Sequence, residues 1–153
     1  MKVRAALVLA ALVLAATLLA GCVSYMSDPP GPKTEFRAVL TGANEVPPNS
    51  STARGEISAV YRPTTKVLEW RLFFGTLSGP VTWAYLYGPD GVGNDDAAIA
   101  PINAISDGNP ALGGYTLTDR QAADLLAGRW YVNVKTEKFP DGEIRGPLVP
   151  VKR

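Results

Sequence analysis

Apolar and polar residues alternate in short runs over most of the chain after residue 35. In one such run, Leu68, Trp70 and Leu72 lie on one side, and Glu69 and Arg71 lie on the other. Similar runs occupy residues 36–40, 57–61, 81–87, 130–136 and 144–151, and Gly, Pro, Asn and Asp separate them. Because successive side chains of a strand point to opposite faces, this pattern predicts antiparallel strands with one buried face.

One segment breaks this pattern and predicts a helix over residues 119–127. Thr118 and Gln121 have the spacing of a capping box, in which a hydroxyl and an amide satisfy backbone groups at a helix start. Alanines and leucines follow, and Gly128 is a typical helix stop. Many short strands and one short helix predict an all-β fold, an antiparallel β-sandwich.

The first 21 residues have the parts of a secretory signal peptide. Lys2 and Arg4 precede an apolar stretch over residues 5–20, which ends in Leu-Ala-Gly-Cys at 19–22. The stretch is shorter than the ~20 apolar residues of a spanning helix, so a transmembrane anchor is the weaker alternative. The tetrapeptide resembles the bacterial lipobox, which implies cleavage before Cys22 and a diacylglyceryl group on its thiol. Several acyl chains give the durable membrane anchoring that one chain cannot.

The segment after the cut predicts a flexible tether followed by one domain. Residues 22–34 are rich in Pro, Ser and Asp and contain little that could be buried, whereas the strand-like runs lie within 35–153. We therefore expect a lipid-anchored protein of the bacterial cell envelope, on its periplasmic or extracellular side. The membrane is its expected partner through the lipid on Cys22, and the sequence names no partner for the domain.

Composition narrows the possible functions. The 132 residues after the cut hold 13 basic and 14 acidic residues, a formal charge of −1, and no basic stripe that would indicate nucleic-acid binding. Cys22 is the only cysteine and histidine is absent, so neither a disulfide nor histidine-based acid–base or metal chemistry is available. The sequence predicts no cofactor and no bound metal.

Four motifs in order resemble the CHRD domain, a family named after the animal protein chordin and common in bacterial exported proteins. They are Leu-Thr-Gly-Ala-Asn-Glu-Val-Pro-Pro at 40–48, Leu-Ala-Gly at 126–128, Tyr-Val-Asn-Val-Lys-Thr at 131–136 and Gly-Glu-Ile-Arg-Gly at 142–146. The resemblance runs from residue 36 to about residue 148. It implies an immunoglobulin-like or superoxide-dismutase-like β-sandwich, and the molecular function of the family is poorly defined.

The chain departs from the family pattern at three histidines. The family commonly has Ala-His-Ile-His-Gly where this chain has Tyr85 and Tyr87, and Asn-Val-His-Thr where it has Lys135. Side chains at these positions could converge on a metal, but two phenols and an ammonium group are poor ligands. A metal role of other family members therefore does not carry over to this chain.

The replaced positions belong to a candidate cluster on two predicted strands. Trp83, Tyr85 and Tyr87 share one face of their strand, and Tyr131, Asn133 and Lys135 share one face of theirs. We expect Lys135 to lie close to Tyr85 and Tyr87. The cluster is either a recognition patch, since exposed aromatic groups anchor many interfaces, or internal packing with the lysine over a ring.

Carboxylates provide the other candidates. Glu45, next to Asn44, could join Glu143 and Arg145 either in a binding or acid–base site or in an ion pair that fixes the last strand to the 44–45 turn. The structural ion pair is favoured, because no nucleophile or paired base accompanies them. Asp90, Asn94, Asp95 and Asp96 crowd one loop, but their spacing does not match a calcium-binding EF-hand loop.

Three functions remain open from the sequence. The first is a non-enzymatic envelope lipoprotein with a binding or structural domain. The second is a small hydrolase that uses Glu45, Glu143 or the Asp95–Asp96 loop. The third, a metal-handling sandwich, is disfavoured because the chain has no histidine.

Overall fold

Alternating strand sequences and one capped helix form the domain in a computed structural model that describes residues 31–89, 98–102 and 109–152. The elements are β1 (Thr34–Thr41), β2 (Arg54–Arg62), β3 (Val67–Phe74), β4 (Val81–Tyr87), β5 (Ala98–Pro101), β6 (Ala111–Thr116), α1 (Asp119–Leu126), β7 (Trp130–Thr136) and β8 (Ile144–Pro150). A 3-10 turn over Gly42–Asn44 follows β1. The all-β prediction is confirmed, and all six predicted strands are present.

The eight strands pair into one antiparallel sheet in the order β5-β4-β7-β8-β1-β2-β3-β6. The first and last strands of the domain, β1 and β8, therefore lie side by side in its middle. The sheet is nearly closed, so that its two halves enclose one core as the layers of a sandwich do. Alternate residues of the long strands enter this core, among them Phe36, Leu72 and Val132.

Two short strands of this sheet were not predicted from the sequence. β5 has four residues, and β6 contains Gly113 and Gly114, so neither shows a clear run of alternating large side chains. Gly113 has a packing reason: a Cβ there would lie 2.5 Å from the Trp70 ring. Its missing side chain leaves room for the indole, which is only 6% exposed.

The helix prediction is confirmed together with its cap. The Thr118 hydroxyl accepts a hydrogen bond from the backbone nitrogen of Gln121, and the side-chain oxygen of Gln121 accepts one from the backbone nitrogen of Thr118. Ala122 and Leu125 are buried against the core. The helix ends at Leu126, and Gly128 follows with a positive φ of 69°, which glycine adopts without strain.

No helix in the described ranges is both long and apolar enough to cross a membrane. The predicted signal peptide and Cys22 lie outside the described residues, as do Asp90, Asn94, Asp95 and Asp96.

Candidate functional site

Six of the predicted site residues lie on the outer face of β4 and β7. Paired across these two strands are Trp83 with Lys135, Tyr85 with Asn133, and Tyr87 with Tyr131. The residues that alternate with them enter the core: Ala84, Leu86, Trp130, Val132 and Val134. The strand period of two thus separates a packed inner face from an outer face that carries aromatic and polar groups.

The aromatic side chains on this outer face form a continuous row. Ring centroids are 5.8 Å apart between Trp83 and Tyr85, 6.0 Å between Tyr85 and Tyr87, and 4.9 Å between Tyr87 and Tyr131. The last pair is stacked, with an interplanar angle of 5°. At that end the guanidinium of Arg145 lies 3.6 Å from the centroid of the Tyr131 ring, a cation–π contact.

Exposure falls steeply along the row. Trp83 is 60% exposed, Tyr85 is half-buried, and Tyr87 and Tyr131 are buried. The buried end is therefore packing, and the Trp83 end is open to solvent. Packing thus describes the buried end of the row, and recognition stays a prediction for the Trp83 end.

Lys135 lies beside the open end. Trp83, Tyr85, Tyr87, Ala98 and Lys135 line a groove of about 330 Å³. The three positions at which family members commonly have histidine therefore border one space. In this chain the space is bordered by two phenols and an ammonium group, which offer donors and ring faces.

Glu45 reaches the same outer face from the loop after β1. Thr41, at the end of β1, pairs with Arg145 of β8, and the 3-10 turn then carries the chain towards β7. Glu45 is 5% exposed, and its Oε2 accepts a hydrogen bond of 3.2 Å from the Asn133 side-chain nitrogen. Within the described part of the chain, the Glu45 Oε1 and the Asn133 Oδ1 are buried without a hydrogen-bond donor.

Burial raises the pKa of the Glu45 carboxyl from 4.5 to about 7. Desolvation penalises the charged form, and it outweighs the attraction of Arg145 and Lys135 and the hydrogen bond from Asn133, which all lower the pKa. Glu45 therefore changes its charge near neutral pH, on a face that also carries two cations.

This pKa predicts that the folded state loses stability as pH rises. The folded state keeps a proton on Glu45 up to pH about 7, whereas the unfolded chain releases it near 4.5. The contribution of Glu45 to the free energy of unfolding is therefore greatest below pH 4.5, and it is lost as pH rises through about 7. We expect the wild type to lose about 2–3 kcal/mol relative to Glu45→Gln over that interval. Urea unfolding of both proteins at pH 4.5, 6 and 8 measures this loss. A difference in the free energy of unfolding that does not change with pH would contradict the prediction.

Glu143 occupies a different environment, although it is also buried. Its Oε1 accepts hydrogen bonds from the Ser51 hydroxyl at 2.8 Å and from the hydroxyl and backbone nitrogen of Ser78 at 2.7 and 2.9 Å. Its Oε2 accepts one from the Thr136 hydroxyl at 2.7 Å. These donors tie together the loop before β2, the loop before β4 and the end of β7.

Burial raises the pKa of Glu143, but hydrogen bonds from Thr136, Ser78 and Ser51 more than offset this effect, and the net pKa is lowered below 4.5. The stabilising effect of this group is therefore present at neutral pH and is lost as pH falls below 4.5. Because four donors already occupy its oxygens, Glu143 stays ionised and is unsuited to take up a proton during a reaction.

The predicted ion pair among Glu45, Glu143 and Arg145 is not formed in the described structure. Arg145 packs over Tyr131, and hydroxyl groups hold Glu143 instead. A different contact, between the loop before β2 and the loop before β8, is made by another residue. The Asn49 side chain donates to the backbone oxygens of Gly142 and Glu143 at 2.9 and 3.1 Å. Asn44 is exposed, and its amide donates to the Val39 oxygen at 3.4 Å.

Sequence reasoning missed Asn49, Ser51, Ser78 and Thr136, which hold Glu143 and its loop. Their residue types gave no signal, because Ser, Thr and Asn are ordinary loop residues and their partners are 7 to 94 positions away. Gly142 is the first residue of the Gly-Glu-Ile-Arg-Gly motif at 142–146. It has a φ of 147°, and a Cβ there would lie 2.6 Å from Glu45 Oε2.

The outer face offers aromatic rings, cations and a buried carboxyl group. Within residues 31–89, 98–102 and 109–152, no three His, Cys, Asp or Glu side chains form a group that could hold a metal ion. The two buried carboxyl groups lie in separate surroundings, one with Asn133 and one among hydroxyls.

Comparison with known proteins identifies the family of this chain. A search of curated proteins and one of solved structures each gave no significant match. The family model of the CHRD domain matches residues 36–148, which include every strand and the helix described above apart from the first residues of β1 and the last of β8. The chain therefore belongs to the CHRD domain family.

Proposed function

We propose that this protein is an exported lipoprotein of the bacterial cell envelope whose CHRD domain is a non-enzymatic binding module. Lipid on Cys22 anchors it, and the outer face of β4, β7 and β8 contacts the ligand. The anchor is supported by the Leu-Ala-Gly-Cys motif at 19–22 after a charged and apolar leader.

The observation that carries the binding role is the exposure of Trp83. An indole that is 60% exposed leaves a large apolar area available to a partner, and here it lies at the open end of a packed aromatic row. Aromatic residues on a rigid support are typical anchors of binding surfaces, because they bury a large area at little cost in side-chain entropy.

A hydrolase is supported less well by the same residues. The Glu45 pKa of about 7 suits a general base, but the residue is only 5% exposed and its carboxyl group is hydrogen-bonded to Asn133. Glu143 is occupied by four hydrogen-bond donors. A binding role uses the exposed groups of this face, and acid–base catalysis would have to use its buried ones.

Two substitutions in the full chain test the anchor and the binding face separately. In cells fed an alkyne fatty acid, we expect the wild type and Trp83→Ala to be labelled and Cys22→Ala to lose the label. From detergent-solubilised envelope, we expect the wild type to retain an envelope component that Trp83→Ala does not. Equal labelling of Cys22→Ala would refute the anchor, and equal retention by Trp83→Ala would refute the binding face.

Phe73→Ala is the matched control for the binding face. Phe73 is also an exposed aromatic residue on a strand, and Arg71 lies 6.0 Å from its ring centroid, but it belongs to β3. Loss of retention in both variants would indicate general surface stickiness instead of a specific face.

A further inference from the structure

Three features of the groove beside Trp83 together identify a class of ligand. The groove holds about 330 Å³ and is lined mostly by ring faces. A second hollow of about 560 Å³ shares Trp83 and Tyr85 with it and continues to Thr82 and Gly79. Trp83 and Tyr85 thus belong to the lining of both hollows, and Ala84 and Ile102 of the core also line the second one.

The first feature is the regular spacing of the rings. The centroids of Trp83 and Tyr85, the two rings of the row that are not buried, lie 5.8 Å apart along β4, at about the length of one pyranose unit. Aromatic rings offer flat apolar faces, and the C–H faces of sugar rings pack on them without losing their hydroxyl hydration. The phenol group of the half-buried Tyr85 adds hydrogen-bonding atoms.

The second feature is rigidity. The inner end of the row is fixed by the stack of Tyr87 on Tyr131 and by Arg145 over Tyr131. These rings are buried, so binding at the outer end does not have to order them. Pre-organisation of this kind lowers the cost of binding, because little binding energy is spent on ordering the protein.

The third feature is charge. Lys135 borders the groove opposite Trp83, and the described lining residues include no Asp or Glu. Arg145 adds a second cation to the same outer face, and its facing carboxyl, Glu45, is partly neutral near pH 7. A ligand with negative charge at the Lys135 end is therefore favoured over a neutral or cationic one.

We propose that the groove of Trp83, Tyr85, Tyr87, Ala98 and Lys135 binds a glycan strand whose sugar units carry carboxylates. Trp83 and Tyr85 stack on sugar rings, and Lys135 pairs with a carboxylate. This inference rests on the binding role proposed above and names its ligand class.

The test measures binding of the full chain in detergent to oligogalacturonate, a carboxylated glycan, by calorimetry. A neutral malto-oligosaccharide of equal length is the comparison ligand. We expect binding of the acidic glycan alone, weakened at least about tenfold by Trp83→Ala and about threefold or more by Lys135→Met. Trp83 is also a reporter, because Trp70 and Trp130 are buried, so its fluorescence should change on binding.

The controls separate the possible failures. Phe73→Ala should bind as the wild type does, and the melting temperature of Lys135→Met should stay unchanged if the lysine recognises the ligand. Equal affinity for the neutral glycan, or wild-type affinity of Lys135→Met, would overturn the acidic specificity. Absence of glycan binding while Trp83-dependent retention of an envelope protein persists would overturn the ligand class and leave the binding face. Absence of both would refute the proposed function itself.

Discussion

Replacing Glu143 by alanine is expected to lower the free energy of unfolding by about 4 kcal/mol, a fall in melting temperature of about 15 °C. The carboxylate is fully buried and accepts four hydrogen bonds from Ser51, Ser78 and Thr136. Removing it leaves the buried Thr136 hydroxyl without this acceptor and opens a cavity where three segments meet. Thermal unfolding of the full chain in detergent measures the effect.

Glu56→Ala is the control for this prediction. Glu56 is a glutamate of β2 that is exposed and pairs with Arg37 at 3.5 Å on the surface. Exposed ion pairs contribute little, so we expect a change within about 0.5 kcal/mol. A similar small change for Glu143→Ala would show that its hydrogen bonds do not hold the loops together.

The location of Glu143 explains why its motif could be identified from the sequence while its role could not. The Gly-Glu-Ile-Arg-Gly motif at 142–146 stands out, and the charged pair within it suggests an ion pair. The partners of Glu143 are small hydroxyl residues in loops, brought near it only by the fold. No local pattern marks a serine that will donate to a buried carboxylate 65 positions away.

For the cluster on the outer face of β4 and β7, the sequence predicts which side chains share a face. Strand period alone assigns Trp83, Tyr85 and Tyr87 to one side, and the structure has Ala84 and Leu86 in the core. Which strand lies beside them, and in which register, depends on the whole sheet. The steep change in exposure from Trp83 to Tyr131 also depends on the neighbouring strand and loop, so the sequence left the choice between recognition and packing open.

The short edge strands mark a further limit of sequence reasoning. β5 and β6 lie at the two ends of the sheet and are only four and six residues long. Their pairing comes from the neighbouring strands β4 and β3, which present edges to them. Position 113 of β6 requires glycine because the Trp70 ring leaves no room for a side chain, and not because the chain turns there.

Gly146→Ala is expected to be as damaging as the loss of Glu143, with a fall of more than about 3 kcal/mol in the free energy of unfolding. Gly146 lies in β8 beside β1, in the middle of the sheet. A Cβ there would lie 2.4 Å from the Val39 backbone oxygen and 2.9 Å from its carbonyl carbon. β1 cannot retreat easily, because it is hydrogen-bonded to β2 on its other side.

Gly114→Ala in β6 tests whether the close approach, and not the loss of a glycine, causes the damage. The nearest atoms to a Cβ at Gly114 are the Leu68 oxygen at 3.6 Å and the Glu69 Cγ at 3.8 Å, which are ordinary contacts. Alanine there restricts the unfolded chain without strain in the folded one, so we expect a gain of about 0.5 kcal/mol. The two substitutions should thus change stability in opposite directions, as measured by urea unfolding. If both substitutions changed the free energy of unfolding equally, the close approach of Gly146 to Val39 would not be the cause of the damage.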